Sequence, residues 1–330
     1  MNIHQIYVEK AIQDHPMVLK ILKRYPETPT IVIENYQEIF NRNKQNFRIQ
    51  KQTPCLILAK KYGKFIHKIP SKFGIGFDEH YYFSTVLNCP FDCQYCFLQG
   101  LNKSSHYVIF VNHEDFKEAI ASVCKENLDK NFCFFSGYDG DSLALDPLSS
   151  FCESFLPFFE TLDNAKCEVR TKSVAIRPLM ALKTIKNTLV AYTLNPEEVI
   201  KRDEKKTPPL NNRLQALQTL AELNYTIALR FDPLLMIEDF YTVYQRFFDH
   251  VFLTLPASKI HSVTIGSFRM PKTVFQNFKK VAPQNPLLAL LDENSPDEFS
   301  YPEKKINKML LFAETTLLKY LKPSQIYKMQ

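Results

Sequence analysis

The sequence predicts an α/β fold: a partial (β/α)6 TIM-type barrel with an N-terminal accessory layer and a C-terminal extension. Three observations point there. Short runs rich in β-branched and aromatic residues alternate with amphipathic segments, the pattern of β/α units that build a parallel sheet with helices outside it. Six such units occur, two short of the eight that close a barrel. The flanking stretches break the alternation, which divides the 330 residues into an accessory region 1–77, a core 78–270 and an extension 271–330.

The predicted barrel strands are YYFSTVLN (81–88), FCFFSG (132–137), CEVRTKS (167–173), TLVAYTLN (188–195), YTIALRFD (225–232) and HSVTIGSF (261–268). Between them lie predicted helices. EDFKEAIASVCKENL (114–128) places Phe116, Ala119, Ile120 and Val123 on one face. SSFCESFLPFFETL (149–162) follows, with Pro157 expected to interrupt it. NRLQALQTLAEL (212–223) and EDFYTVYQRFFDHVF (238–252) repeat the arrangement. The first 75 residues offer a helix around 16–24, a short strand TIVIE and another strand, PCLILAKKYGKFIHKIP, which together read as an added layer. After residue 270 the chain turns polar and proline-spotted before a final helix, KINKMLLFAETTLLKYL, expected to cover the open side or end of the barrel.

A hydrophobic content of 45% supplies a core for a folded chain of this length. Lysine and arginine exceed the acidic residues, 41 to 35, for a net charge of +6, a mild excess compatible with a polyanionic partner. The N-terminus lacks the signature of a signal peptide, and no run approaches the roughly 18 apolar residues of a membrane span, so no membrane association and a cytoplasmic location are expected. Eight cysteines in such a chain read as reduced thiols and metal ligands in preference to a disulfide framework. Cys55, Cys124, Cys133, Cys152 and Cys167 stand alone in apolar settings, as small hydrophobes.

Cys89, Cys93 and Cys96 crowd into TVLNCPFDCQYCFLQG with spacing C-x3-C-x2-C, directly after the first predicted barrel strand. Three thiolates on one loop can bind three irons of a 4Fe-4S cube and leave the fourth iron open. The alternative is zinc, which takes four ligands. No second Cys knuckle follows, and His80 and His106 are the nearest histidines to fill that place.

The same motif, with Tyr95 before its last cysteine, resembles that of the radical S-adenosylmethionine superfamily. CPFDCQYCFLQ, taken with QIYVEKAI near the start, RTKS (170–173), YTLNPEEVIK (192–201) and GSFRMPK (266–272), resembles the spore photoproduct lyase family over almost the whole chain. The resemblance implies a partial barrel, a 4Fe-4S cluster, and S-adenosylmethionine bound at the open iron and cleaved to a 5′-deoxyadenosyl radical. It places Tyr95 against the adenine and implies a flavodoxin or ferredoxin as electron donor. A basic rim of Lys60, Lys61, Lys64, Lys68 and Lys72 suits such an acidic protein, or DNA or another nucleic acid.

Ligands of parallel α/β folds gather at the carboxyl ends of the strands. By the resemblance, Asp139 after the second strand accepts the cofactor's ammonium group, unless Gly137 to Asp141 form only a turn. Lys172 at the third strand end matches a cofactor-contacting lysine, and Thr193 and Asn195 at the fourth lie by its ribose or methionine part. Arg230 and Asp232 are expected to pair with each other. Arg269, after the sixth strand, falls on the family's substrate side and suits a phosphate or carboxylate.

In the family a cysteine returns a hydrogen atom to the product radical, helped by tyrosines. Ser136 stands at the aligned cysteine position and Phe97 where a relay tyrosine is expected, and a serine O–H is a poor donor to a carbon radical. Cys133 lies three residues earlier, on the opposite face of the strand, while Tyr138 is another hydroxyl in reach. The expectation is therefore a radical enzyme of this lyase-like group acting on a substrate that need not be the spore lesion. The alternatives are a DNA repair lyase that splits a thymine photoproduct, and an iron-sulfur or zinc protein that binds nucleic acid without catalysis.

Overall fold

Two large sheets and two small ones share the chain, and the cysteine loop lies where one large sheet passes into the other. The computed structural model describes residues 3–182, 185–295 and 297–329. Its larger sheet has eight strands. Six are parallel neighbours in chain order: Glu79–Tyr82, Phe132–Ser136, Ala165–Thr171, Thr188–Thr193, Thr226–Leu234 and Ile260–Ser267. These are the six predicted units of the open barrel, their ends shifted by a few residues. Two more strands extend the edges: His67–Lys68, antiparallel to the first, and Ile326–Lys328, absent from the prediction and parallel to the sixth; the strand predicted over 54–70 splits into Leu56–Ala59 and His67–Lys68.

The alternation of side chains decides what each face buries. Phe132, Phe134, Cys167, Val169, Val190, Tyr192, Ile227, Leu229, Val263 and Ile265 turn to one side, into the main core that they share with the helices. That core is covered by His113–Glu126, Phe151–Phe159, Leu210–Glu222, Phe240–Thr254 and Glu303–Leu317. The opposite face carries a smaller apolar group, Cys133, Phe135 and Leu189 with Ile75 and Met329. Glu168, Arg230 and Ser262 are bonded together among the buried groups of the same sheet.

Several expectations change. Pro157 lies inside Phe151–Phe159 without ending it: in the last turn the bond it forgoes is one of the few. The predicted first strand 81–88 splits, Glu79–Tyr82 entering the large sheet and Val86–Leu87 the other one. The final helix joins the helix layer instead of closing an open end. Phe312 packs on Phe240 and Tyr241, and Tyr320, just past the helix, stacks on Phe252.

The second sheet has the order Thr30–Ile33, Ile6–Glu9, Leu56–Ala59, Tyr107–Phe110, Val86–Leu87, all parallel except the last pair. It is more than an N-terminal layer, because Val86–Leu87 and Tyr107–Phe110 come from within 78–270. Ile6, Val8, Leu56, Leu58, Tyr107 and Ile109 bury one face against Val18 and Ile21 of the helix Pro16–Leu22. Ile57, Ala59, Val108 and Phe110 on the other face join the main core. Interleaving the two sheets fixes the segment between residues 82 and 107 at their junction.

Candidate active site

The cysteine loop is held from every side. Asn88 enters it in the left-handed region at φ 67°, which asparagine tolerates. Its side-chain amide donates to the carbonyls of Ser104 and His106 at 2.8 and 2.7 Å, and its N–H to the Asp139 carbonyl at 2.7 Å. Asp92–Cys93 forms a two-residue strand antiparallel to Glu204–Lys205. Arg48, from the N-terminal region, grips both Asp92 oxygens at 2.7 and 3.0 Å and also reaches Gln99, whose amide donates to the Cys93 carbonyl at 2.8 Å. The Lys51 ammonium donates to the Cys89 carbonyl.

Cys89, Cys93 and Cys96 line one cavity with Phe47, Lys51 and Asp92, and all three are free thiols. Burial pushes all three thiols up, Cys89 and Cys93 furthest, which disfavours their thiolate forms. The donors are soft sulfurs, the chemistry that iron-sulfur clusters take. Among the described residues no three His, Cys, Asp or Glu side chains gather as a site for a single ion. The histidines that a zinc site would need are engaged elsewhere. His80 Nε2 accepts from the Ile75 N–H at 2.9 Å and His106 Nδ1 from the Cys55 N–H at 3.1 Å. A cluster that takes one thiolate per iron fits this loop better than a tetrahedral ion does.

Tyr95, Lys172 and Asn195 come together beside the loop, and a residue outside the sequence-predicted set unites them. Glu204, fully buried, accepts from the Tyr95 hydroxyl, from Asn195 Nδ2 at 2.9 Å and from Arg213 Nη2 at 2.6 Å. Burial works to raise its carboxyl, but Lys172 and Arg213 outweigh that and hold it low. Lys172 lies over the Tyr95 ring, 5.6 Å from its centroid, and its charge is felt by Cys93 and Cys96. Thr193 is buried next to this network, its carbonyl accepting from Arg213 at 3.2 Å. The Tyr95 hydroxyl and Asn195 side chain are thus committed to protein partners, which leaves the tyrosine ring and the Lys172 ammonium as the groups facing the loop.

Two aspartates follow the second strand with different duties. Asp141 is saturated: it accepts from the Thr171 hydroxyl at 2.7 Å and from the N–H groups of Lys172, Leu143 and Ala144 at 2.7 to 3.0 Å. Asp139, tied to the cysteine loop through its carbonyl, carries a carboxyl that burial pushes up while Lys61 and His67 partly offset it. Gly137 makes the turn possible, with φ at 79° and a Cβ position that would lie 2.6 Å from the Ser142 hydroxyl.

Ser136 turns to the helix side with Phe134, its hydroxyl donating to the Glu168 carbonyl at 2.8 Å and sharing a 2.8 Å bond with Ser142. Cys133 is on the opposite side, as expected, but it is Cys133 that faces away from the helices, fully buried. Tyr138 is the exposed hydroxyl of the segment. Its ring stacks on Tyr82 at 4.4 Å and lies 5.5 Å from Phe97, while Tyr82 stacks on His67 at 4.9 Å.

The expected Arg230–Asp232 pair does not form. Arg230 bonds Glu168, which also takes Arg170, and Asp232 is bridged by both terminal nitrogens of Arg269 at 2.9 and 3.1 Å. Adjacent i, i+2 positions share a face of the strand, but each guanidinium finds a carboxylate on a neighbouring segment. Arg269 also lies over the Phe73 ring. Glu204 and Arg213 had a faint sequence signal in their proximity to the YTLNPEEVIK stretch, whereas Arg48 and Lys51 had none, being some forty residues from the loop they support.

No helix among the described residues is long and apolar enough to cross a membrane. The family model for spore photoproduct lyase matches residues 3–295. Curated relatives include the spore photoproduct lyase of Bacillus subtilis strain 168, 23% identical over 78% of this chain and 75% of its own length. That of Clostridium acetobutylicum is 21% identical over 73% and 71%. Among solved structures, a spore photoproduct lyase variant with bound AdoMet and dinucleoside spore photoproduct superimposes with TM-score 0.82 at 16% identity, covering 99% of this chain and 98% of that one. The lyase complexed with dinucleoside spore photoproduct gives 0.81 at the same identity and coverage. These likenesses establish the half-barrel fold, and the family match covers most of the sequence: the chain belongs to the spore photoproduct lyase family and is a radical S-adenosylmethionine enzyme.

Proposed function

We propose that Cys89, Cys93 and Cys96 hold a 4Fe-4S cluster and that the chain uses it to cleave S-adenosylmethionine reductively. The observation that carries this reading is the single cavity lined by all three free thiols beside Tyr95 and Lys172. When bound, the cluster supplies the electron that splits the cofactor's sulfonium and yields a 5′-deoxyadenosyl radical. Lys172 meets the cofactor carboxylate, Asp139 its ammonium, and the Tyr95 ring, fixed through Glu204, supports the adenine. Thr193 borders the ribose or methionine part, with Asn195 acting through Glu204. The electron comes from a flavodoxin or ferredoxin.

The substrate enters past Tyr138, Tyr82 and Phe97, and it is not bound to be the spore lesion. Ser136, buried and turned to the helices, supports that separation, since it offers a carbon radical neither a weakly held hydrogen atom nor access. A second reading, repair of a thymine photoproduct in DNA, draws on the stacked run His67–Tyr82–Tyr138, a surface on which a nucleobase can lie. Arg269 then acts through Asp232 to shape the mouth, and the exposed Tyr138 stands nearest the substrate. Anaerobic incubation of reconstituted protein with a dinucleotide spore photoproduct separates the readings. Unchanged photoproduct together with 5′-deoxyadenosine release supports a different substrate, and restored thymines support repair.

A further inference from the structure

Lys51 is a lysine in an improbable place. It follows the short helix Phe47–Gln50 and is only 6% exposed, although lysine is among the residues least often buried without a partner. Its ammonium donates to the Cys89 carbonyl, lies 5.9 Å from the Tyr107 ring centroid and lines the same cavity as the three cysteines. The other cations around the loop are answered by carboxylates. Arg48 has Asp92 and Arg213 has Glu204, whose carboxyl also feels the charge of Lys172. Asp92 feels the charge of Lys51 but is already gripped by both Arg48 nitrogens. Among the described residues Lys51 itself makes no ion pair, and a buried ammonium without a counter-charge is destabilising.

We infer that Lys51 is the built-in counter-charge of the iron-sulfur cluster and raises its reduction potential. This rests on the cluster reading above. Three thiolates make a bound cluster a net anion, and taking up one electron adds a further negative charge without making or breaking a bond. A fixed ammonium on the cavity wall therefore stabilises the reduced state more than the oxidised one. The N-terminal region thus contributes to the redox chemistry of a loop forty residues away. The same charge explains itself thermodynamically: with the cluster present the ammonium has its anion, and without it the lysine is a liability.

The test compares wild type, Lys51→Met and Lys51→Arg after anaerobic reconstitution, titrating each with sodium dithionite and following the reduced cluster by EPR. Lys51→Met is expected to lose about tenfold in the equilibrium constant for reduction, a midpoint about 59 mV more negative for one electron, while Lys51→Arg holds the wild-type midpoint. Apo protein is measured alongside by thermal unfolding, and apo Lys51→Met should melt no lower than apo wild type. A Met variant with an unchanged midpoint overturns the inference and leaves the cluster reading standing. If the Met variant takes up no iron, its apo melting decides: unfolding earlier than wild type makes Lys51 a structural strut and overturns the inference, and undiminished stability supports it. Wild type that binds no iron removes the cluster reading itself, and the inference with it.

Discussion

Asp139 and Asp141, two residues apart, show how local bonding separates the proposed cofactor ligand from a scaffold. Asp141 satisfies four donors at the third strand end, so Asp141→Ala leaves buried N–H and O–H groups unpaired and is expected to cost about 2–4 kcal/mol of stability, read by chemical unfolding. Asp139→Asn should leave that stability in place and weaken S-adenosylmethionine binding about tenfold by calorimetry, the size of one charge-assisted hydrogen bond. Equal affinity in the Asn variant would remove Asp139 from the cofactor site. The sequence distinguished neither duty, because composition names an acidic strand end without saying which carboxylate is already occupied. It did mark Cys89, Cys93 and Cys96 by residue type and spacing, and Tyr95 and Lys172 through the family resemblance. Glu204 stayed hidden for the opposite reason: its importance comes from Tyr95, Asn195 and Arg213 converging on it, the first from 109 residues away.

Elements extend the same lesson. The six central strands were legible because each is a run of apolar or β-branched residues flanked by turns, and the helices because their apolar faces recur at helical spacing. Tyr107–Phe110 and Ile326–Lys328 were not, being four and three residues long with pairing set by strands far away. The short helix Leu98–Leu101, which follows the last cysteine, depends on a close approach. A Cβ on Gly100 would lie 2.2 Å from the Val274 carbonyl of the helix Lys272–Val281, which also donates from Asn277 to the Gly100 carbonyl at 3.1 Å. Gly100→Ala must push those helices apart and is expected to lower stability by about 1–3 kcal/mol and to reduce iron uptake on reconstitution. Full stability and full iron loading in that variant would mean that the contact does not hold the loop.

Across the whole molecule, buried charge as well as apolar packing holds the large sheet together. Glu168 sits fully buried between Arg230 and Arg170; burial works to raise its carboxyl, but the two guanidiniums bring it down to about 2. A depressed carboxyl stabilises the fold fully above its ordinary value of 4.5, and that contribution is lost as the pH falls toward about 2. His106 and His113, lowered by burial to about 4 and about 3, act in the same direction below 6.5, since unfolding lets them take up protons. Thermal unfolding should therefore show Glu168→Gln about 3–5 kcal/mol less stable than wild type at neutral pH, with the gap closing between pH 4.5 and pH 2. A gap that stays constant with pH would assign the loss to packing.

The half-barrel, the loop at its junction with the second sheet and the residues around that loop all converge on one reaction. Its most direct measurement is the release of 5′-deoxyadenosine from S-adenosylmethionine by the anaerobically reconstituted, dithionite-reduced protein, with Cys93→Ala as control. Release from the wild type that is abolished in the variant is the predicted result. A wild type that assembles an EPR-active 4Fe-4S cluster and binds the cofactor, yet yields no 5′-deoxyadenosine, would contradict it.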